Sequence, residues 1–197
     1  MAVGQSAKAT GTQAVAIGYN AIADNNQVGQ TVVGSNASAT ANYGTIIGYG
    51  AKGTNTQANQ TAIGYLATTN AAGGVALGAN SNSDRPYDST SATSPYIPTG
   101  ASNEQTNLIN ATKATTGAVS VGYTDSSDSS KNVRRQIINV AAGKEDTDAV
   151  NVAQLKAVQS QSASADRYVK SGSINTNNGT LSLNVENVTD PVEITGL

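Results

Sequence analysis

The sequence of 197 residues contains no cysteine and no histidine, and each absence removes a class of chemistry. Without cysteine the chain forms no disulfide and has no thiolate nucleophile. Without histidine it lacks the commonest general base and metal ligand of proteins. The composition therefore argues against an enzyme, and we expect neither a cofactor nor a metal site.

Large apolar side chains are also scarce. The chain has no phenylalanine or tryptophan, and leucine, isoleucine and valine together account for 35 residues. This fraction is below the level usual for a globular core. Disorder normally accompanies a high net charge, whereas this chain carries only −2. A regular repeat, in which thin layers share their cores with neighbouring layers and subunits, reconciles these observations.

A short sequence motif is repeated along residues 1–80. Each copy has apolar residues or threonine leading into a glycine, and the glycines lie 14, 16, 14, 16 and 14 residues apart. A seventh copy ends at Gly122, 44 residues after the sixth. A register held over so many copies indicates a repeat array. The first six glycines are Gly4, Gly18, Gly34, Gly48, Gly64 and Gly78.

The pattern around each glycine predicts two short strands per repeat. Positions −3 and −1 share one face of the first strand, which we expect to face inward. Small residues at +3 and +5 predict a second strand opposite it, and the glycine supplies the bend because it tolerates positive φ. Stacked repeats would form a parallel β-roll. Position −2, expected to point outward, is also often apolar (Ala16, Val32 and Ile46) and suggests a subunit interface.

The array is interrupted by residues 81–117, which hold three of the four prolines. Within this insertion Ser102–Gln105 matches a capping box, so that a short helix and a continued loop are both open. Residues 118–130 hold the last repeat and a polar connector. The glycine pattern of residues 48–53 lies in a strand–turn repeat, and Asp125 and Asp128 lack the EF-hand spacing, so neither predicts a ligand site.

The C-terminal third changes its pattern twice. Ile137 to Ala142 is strand-like, and the polar turn that follows, with Asp146, Thr147 and Asp148, can cap a helix from Ala149 onward. Its spacing of apolar residues predicts a short coiled coil over 157–170. Within 171–197, alternating apolar residues predict a small β segment.

These residues resemble a known family. The Ala-Val-Ala-Ile-Gly phrases resemble the head repeats of trimeric autotransporter adhesins, the YadA-like surface proteins of bacteria. The segment from Arg135 to Leu155, with Val-Ala-Ala-Gly and Asp-Ala-Val-Asn-Val-Ala-Gln-Leu, is similar to that family's neck nearly residue for residue, and residues 131–156 are predicted to form the neck. The resemblance implies a homotrimer of left-handed parallel β-rolls, then a neck and a parallel trimeric coiled coil. It also implies display on the bacterial outer membrane through an anchor outside this chain, whose start is not a signal peptide.

Two sets of residues are candidate contacts. A tyrosine follows the repeat glycine in four copies, and such a column can either contact a ligand or stabilise the roll. In the neck, apolar residues can fill the junction between roll and coil, while Arg134 or Arg135 can pair with Asp146 or Asp148 of a neighbouring chain. The tyrosine column is Tyr19, Tyr49, Tyr65 and Tyr123, and the neck contacts are Arg135, Ile137, Ile138, Val140, Asp148, Val152 and Leu155.

The sequence predicts a non-catalytic adhesion module that does not bind nucleic acid. Its trimer would attach to host extracellular matrix or cell-surface receptors and support autoaggregation and biofilm formation. The alternative is a trimeric phage-type fibre or receptor-binding tip, which would share the repeats but not this neck. A left-handed β-helix acyltransferase needs a histidine base that the chain lacks. An ice-binding face needs more regular threonine columns than this array provides.

Overall fold

The structure is a computed structural model that describes residues 1–23, 26–54, 58–87, 94–165, 169–185 and 192–194. Its contacts divide the chain into two compact units, residues 1–136 and residues 137–197. The first unit is a β-roll with an insertion, and the second contains an extended segment, a helix and a small sheet. Within these described ranges, no helix is both long enough and apolar enough to cross a membrane.

Two parallel sheets form the roll. The first strand of each repeat joins a seven-stranded sheet, and the second strand joins a six-stranded sheet. Val33 pairs with Ile47 and Ile47 pairs with Ile63, so that equal positions of successive repeats stack. The predicted β-roll is therefore confirmed. The first sheet contains β1 (Ala2–Val3), β3 (Val15–Ile17), β5 (Thr31–Val33), β7 (Thr45–Ile47), β9 (Thr61–Ile63), β11 (Val75–Leu77) and β13 (Val119–Ser120), and the second contains β2 (Lys8–Ala9), β4 (Ile22–Ala23), β6 (Ser38–Ala39), β8 (Lys52–Gly53), β10 (Thr68–Thr69) and β12 (Asn82–Ser83).

The roll encloses the face of the first strand opposite to the one expected. At position −2, Ala16, Val32 and Ile46 are completely buried, whereas Ile47 and Ile63 at position −1 are 37% and 38% exposed. The prediction that −3 and −1 face inward and −2 outward was therefore wrong. Strand alternation separates two faces without choosing between them. The mostly alanine column at −2 is the one that fits the thin space opposite the second sheet.

The second strands contribute small interior residues, as predicted for positions +3 and +5. The interior is less uniformly apolar than the sequence suggested, because Gln30 and Gln60 are buried just before β5 and β9. Gln30 Nε2 donates hydrogen bonds to the carbonyl oxygens of Ala39 and Ala41, each at 3.1 Å. These glutamines belong to the two repeats of 16 residues. The buried small residues at positions +3 and +5, which lie just before or within the second strands, are Ala21, Ala23, Ala37, Ala39, Ala51, Ala67, Thr69, Ser81 and Ser83.

The repeat glycines form a closely stacked column at the bend between the two sheets. Gly64 has a φ of +138°, in the region that favours glycine. A Cβ placed on Gly64 would lie 2.6 Å from the carbonyl carbon of Gly78 in the next layer. Glycine is therefore required both for the predicted bend and for the spacing of the layers.

The insertion contains a helix, which decides between the two alternatives left open by its sequence. Helix α1 spans Asn103–Ala111 and begins with a complete capping box. The Gln105 amide donates to Ser102 Oγ at 3.2 Å, and the Ser102 amide donates to Gln105 Oε1 at 2.9 Å. The chain then returns to the roll at β13.

In the second unit, helix α2 spans Val152–Ala165. It begins three residues later than predicted, and Asn151 caps it, because Asn151 Oδ1 accepts a hydrogen bond from the Gln154 amide at 3.1 Å. The carboxylate of Asp148, expected among the possible caps, instead accepts the amides of Lys144 and Glu145. No strand forms over residues 137–142, which were expected to be strand-like.

An antiparallel sheet follows and confirms the predicted small β segment. It is formed by β14 (Val169–Asn175), β15 (Thr180–Val185) and β16 (Val192–Ile194). Leu181 pairs with both Ile174 and Ile194 in this sheet. Of the predicted coiled coil over 157–170, residues 166–168 lie outside the described residues, and residues 169–170 belong to β14 and not to a helix, so that the predicted end was wrong.

Candidate interaction surfaces

The outward side of the seven-stranded sheet carries a column of aliphatic side chains at position −1. We call this column the aliphatic ladder, and it consists of Val3, Ile17, Val33, Ile47, Ile63, Leu77 and Val121. Ile47, Ile63 and Leu77 are 37–38% exposed, and Val3 is 50% exposed. Because the layers stack in register at about 4.8 Å, the ladder is continuous along the roll. An exposed apolar surface of this kind marks a protein interface.

The outward side of the six-stranded sheet is more polar. Its strands place Lys8, Ser38, Lys52 and Asn82 at the corresponding position, with Ile22 as the aliphatic exception. Lys52 is exposed, and Ile22 and Ser38 are half-buried. The two outer faces therefore differ in what they can contact: one is suited to an apolar partner and the other to water or a polar ligand.

The tyrosine column is shorter than the sequence pattern suggested. The rings of Tyr49 and Tyr65 stack with their centroids 5.7 Å apart and their planes inclined by 15°. Ser35 occupies the equivalent position between Tyr19 and Tyr49, and Ala79 occupies it between Tyr65 and Tyr123. Backbone hydrogen bonds between layers hold the pair in place. The Leu66 amide donates to the Tyr49 carbonyl oxygen at 2.9 Å, and the Asn80 amide donates to the Tyr65 carbonyl oxygen at 2.8 Å. The stacked pair is half exposed and presents one flat aromatic surface.

Tyr123 has a different environment. Its hydroxyl donates to Asp125 Oδ2 at 3.2 Å. Desolvation, followed by the nearby Asp125 carboxylate, raises the pKa of Tyr123 above its ordinary value. Hydrogen bonds from Ser127 and from the Asp128 amide lower the pKa of Asp125. Tyr123 is thus held as a neutral phenol beside an ionised carboxylate.

Arg135 closes the C-terminal end of the roll. Its guanidinium donates to the carbonyl oxygen of Ala79 at 2.6 Å, to Ser81 Oγ at 3.1 Å and to the carbonyl oxygen of Val121. It lies against Gly78, where an added Cβ would come within 3.0 Å of Arg135 Cζ. β13 and β12 are the last strands of their sheets, so that no following strand donates hydrogen bonds to these oxygen atoms. The Arg135 guanidinium supplies those donors instead.

The neck residues of the second unit expose apolar surface. Ile137 and Ile138 are 72% and 71% exposed, and Val152 and Leu155 on α2 are 66% and 63% exposed, while Val140 is half-buried. A chain with so few large apolar residues leaves these four open within the monomer. The Asp148 carboxylate has intrachain amide donors and Arg135 has intrachain acceptors, so that their interchain pairing stays a prediction.

Asn151 and Gln154 are two neck residues that sequence reasoning missed. Their side chains form hydrogen bonds with the backbone of the extended segment before α2. Gln154 Oε1 accepts the Gly143 amide at 3.0 Å, and Gln154 Nε2 donates to the Gly143 carbonyl oxygen at 2.9 Å. Asn151 Nδ2 donates to the Val140 carbonyl oxygen at 3.2 Å. An asparagine followed three residues later by glutamine, ahead of an apolar helix, resembles a capping box and was the available signal.

Comparison with known proteins matches both parts of this architecture. The YadA head domain repeat matches twice, at residues 1–21 and 61–81. The coiled stalk of trimeric autotransporter adhesin matches residues 136–184. These matches support a YadA-like adhesin. The stalk match covers most of the neck, α2, β14 and most of β15, and it favours this family over the phage-type fibre, which would lack such a neck.

Curated relatives agree with this assignment over short stretches. The chain is 50% identical over 66 residues to the trimeric autotransporter adhesin AtaA of Acinetobacter sp. (strain Tol 5), and these residues are 34% of this chain and 2% of that protein. It is 60% identical over 47 residues to the autotransporter adhesin BadA of Bartonella henselae, which is 24% of this chain and 1% of that protein. The crystal structure of the collagen-binding domain of Yersinia adhesin YadA aligns with 81% of this chain and 87% of that one, at 23% identity and a TM-score of 0.27.

Proposed function

We propose that this chain is the head, neck and first stalk segment of a homotrimer that attaches a bacterium to host matrix or cells. The observation that carries the proposal is the aliphatic ladder, a continuous apolar column on the outside of a roll whose own core is mostly alanine. Burying one large aliphatic side chain contributes about 1.5–3 kcal/mol. The ladder residues are already at least half buried in the monomer, so that each contributes less than this, and the seven in each chain together favour association of three rolls.

The neck supports the same assembly. Its four open apolar residues, Ile137, Ile138, Val152 and Leu155, provide the surface that a parallel trimeric coil would bury, and half-buried Val140 lies beside them. Helix α2 alone has 14 residues, a length that is marginal for an isolated helix in water. Packing against two identical helices would supply the stabilisation that its sequence lacks.

Adhesion would use what the trimer leaves exposed, which includes the Tyr49–Tyr65 stack and the polar outer face. Tyrosine offers a large rigid contact area with a polar tip. Three copies on one particle, and many particles on one cell, convert weak contacts into strong attachment through effective concentration. The same surfaces would support contact between cells, and hence autoaggregation and biofilm formation.

An adhesion assay with the trimeric chain on beads tests the proposal. We expect beads carrying the chain to bind cultured cells or a panel of immobilised matrix proteins, and beads carrying albumin not to bind. Changing Tyr49→Ala together with Tyr65→Ala should weaken attachment, because it removes the stacked aromatic surface. The matched control is Tyr19→Ala with Tyr87→Ala, which removes two equally exposed rings outside the stack.

Two results would count against the proposal. Beads that bind neither cells nor any matrix protein would contradict adhesion itself. Equal attachment by the stack variant and its matched control would leave adhesion standing and remove the tyrosine pair as the contact.

A further inference from the structure

A cavity on the polar outer face of the roll is lined by side-chain amides. It has a volume of about 310 Å³, within the range of roughly 300–1,000 Å³ that is typical of ligand sites. Two neighbouring strands of the six-stranded sheet, β10 and β12, contribute to it, and Thr68 of the first pairs with Asn82 of the second. We call it the asparagine cavity, and its wall includes Leu66, Thr68, Asn70, Asn80, Asn82 and Tyr123.

The asparagine cavity opens on the side of the roll away from the aliphatic ladder. Thr68 and Asn82 point outward from their strands, because Thr69 and Ser83 beside them are buried in the interior. The two sheets enclose one interior, so that their outer sides face opposite directions, and the ladder is on the other sheet. No described residue of the wall belongs to the ladder or to the neck contacts. A trimer formed through the ladder and neck, as in the proposed function, therefore leaves the cavity facing solvent.

The wall carries no charge, and this determines the class of ligand. Among the described residues that line the cavity, none is a lysine, arginine, aspartate or glutamate. An anion or a cation placed there would lose part of its hydration without gaining an ion pair. The cavity is therefore suited to an uncharged molecule that forms hydrogen bonds.

Three asparagine amides and one aromatic ring can contact such a molecule. Each amide combines an acceptor oxygen with two donor hydrogens, and a sugar hydroxyl likewise both donates and accepts. Asn70 and Asn80 are exposed, whereas Asn82 is half-buried and its Nδ2 donates to Asp84 Oδ2 at 3.2 Å. The half-buried ring of Tyr123, held through its hydroxyl, offers a surface on which the apolar side of a sugar ring can pack.

The extent of the cavity favours a sugar over a peptide. The cavity spans two layers, about 10 Å along the roll. An extended peptide advances about 3.3 Å per residue, so that only about three residues would fit. One or two sugar rings place several hydroxyl groups within the same length. We propose that the asparagine cavity binds an uncharged saccharide, with Asn70 and Asn80 as the contacting amides and Tyr123 as the packing surface.

An array of uncharged oligosaccharides, spotted beside sialylated and sulfated ones, tests this inference with the full chain. We expect binding to uncharged spots that does not weaken as sodium chloride is raised. Asn80→Gly should weaken it about three- to tenfold, because the amide is lost while glycine tolerates the φ of +56°. Asn36→Gly is the matched control, at the same repeat position with a φ of +58° but outside the cavity, and should leave binding unchanged.

A second pair of variants fills the cavity instead of removing a contact. Thr68→Tyr places a large side chain in the cavity and should abolish binding. Ser38→Tyr makes a similar change at the equivalent outward position of β6, outside the cavity, and should leave binding unchanged. Melting curves establish that each variant is folded. Equal effects within both pairs of variants would overturn the assignment to this cavity.

Thiol labelling tests whether the cavity is open in the assembled trimer. The chain has no cysteine, so that Asn80→Cys carries a single thiol. We expect this thiol to react with a maleimide reagent in the trimer. Protection of the thiol there would show that assembly covers the cavity and would overturn the inference.

The array also separates the alternatives. Binding to no uncharged oligosaccharide, or to charged ones alone, overturns the inference, and an uncharged alanine–glycine peptide that binds as tightly would show a site for protein instead. If beads attach to cells while the uncharged spots stay empty, this inference fails and adhesion stands. If those spots bind the chain and the beads attach to nothing, adhesion fails and the cavity stands.

Discussion

The two outer faces of the roll come from the same repeat but have different chemistry. Position −1 on the first strand is aliphatic in all seven copies, whereas the outward position of the second strand changes from lysine to isoleucine, serine, threonine and asparagine. A position that varies in polarity from layer to layer needs only to tolerate water. A position that stays aliphatic in every layer while exposed to solvent is expected to pack against another protein surface. The contrast teaches that regularity along a column, rather than hydrophobicity at one residue, is the reason to propose the aliphatic ladder as the trimer interface.

The largest expected difference between the two faces is in trimer association after a charge is placed on each of them. Ile47→Asp puts a carboxylate in the middle of the aliphatic ladder, and we expect it to weaken trimer association by at least about a hundredfold. Ile22→Asp is the same chemical change on the polar face and should leave association within about threefold. Sedimentation velocity over a range of concentrations measures both. Equal dissociation by the two variants would show that the ladder is not the interface.

The glycine column connects the two faces, so altering it should affect the roll itself. Gly64→Ala forces a side chain into a backbone with φ +138° and against the carbonyl carbon of Gly78. We expect the free energy of unfolding to fall by about 1–3 kcal/mol. Gly100→Ala is the control, because φ is also positive there but an added Cβ meets nothing within 4 Å. Denaturant titration compares them, and an equal loss would mean that layer spacing contributes nothing.

The end of the roll, where both sheets lose their next layer, should show a smaller effect. Arg135→Gln removes donors to Ala79, Ser81 and Val121, and we expect a loss of about 1–2 kcal/mol in the free energy of unfolding. Hydrogen exchange should also quicken around β13, which Arg135 holds. Arg134→Gln has the same charge change without these bonds. If Arg134→Gln destabilises the roll equally, charge rather than capping explains the effect.

Acidification should have the smallest effect and should act at turns rather than on either face. Hydrogen bonds from the amides of Lys144 and Glu145 lower the pKa of Asp148, and bonds from Ser127 lower that of Asp125, both from an ordinary value of 3.8. A depressed pKa means that the stabilisation is present above pH 3.8 and is lost as the pH falls through the folded-state value. Stability should therefore stay level from neutral pH to about 4.5 and decline below it. Asp148→Asn should flatten part of that decline, and an identical pH profile would contradict the assignment.

The repeat could be predicted because its signal is redundant. Seven glycines in register specify strands, bends and stacking even though no single copy does. The inner face could not be predicted in the same way, since alternation treats the two faces alike and the apolar −1 residues were taken for the core. Gln30 and Gln60 are also buried, although they are polar, and each lies immediately before a first strand of the roll. Their burial depends on how the chain bends before each strand, and the spacing of residues in the sequence does not indicate that bend.

The surfaces were less predictable than the fold. The tyrosine pattern gave four candidates, yet only Tyr49 and Tyr65 stack, because Ser35 and Ala79 interrupt the column. The pairing of Arg134 or Arg135 with Asp146 or Asp148 of a neighbouring chain stays a prediction, and nothing in the sequence indicated that neutral oxygens at the end of the roll accept hydrogen bonds from Arg135. One cavity at the C-terminal end of the roll is lined by both Arg85 and Arg135, which lie 50 positions apart along the sequence and are brought together by the returning strand β13.

Because every layer presents the same edges above and below, the roll is a structure whose length is adjustable. Duplication or loss of one phrase of 14 or 16 residues would extend or shorten the particle by about 4.8 Å and leave all other layers with their former neighbours. Gain or loss of whole repeats would thus change the length of the roll without requiring a new fold.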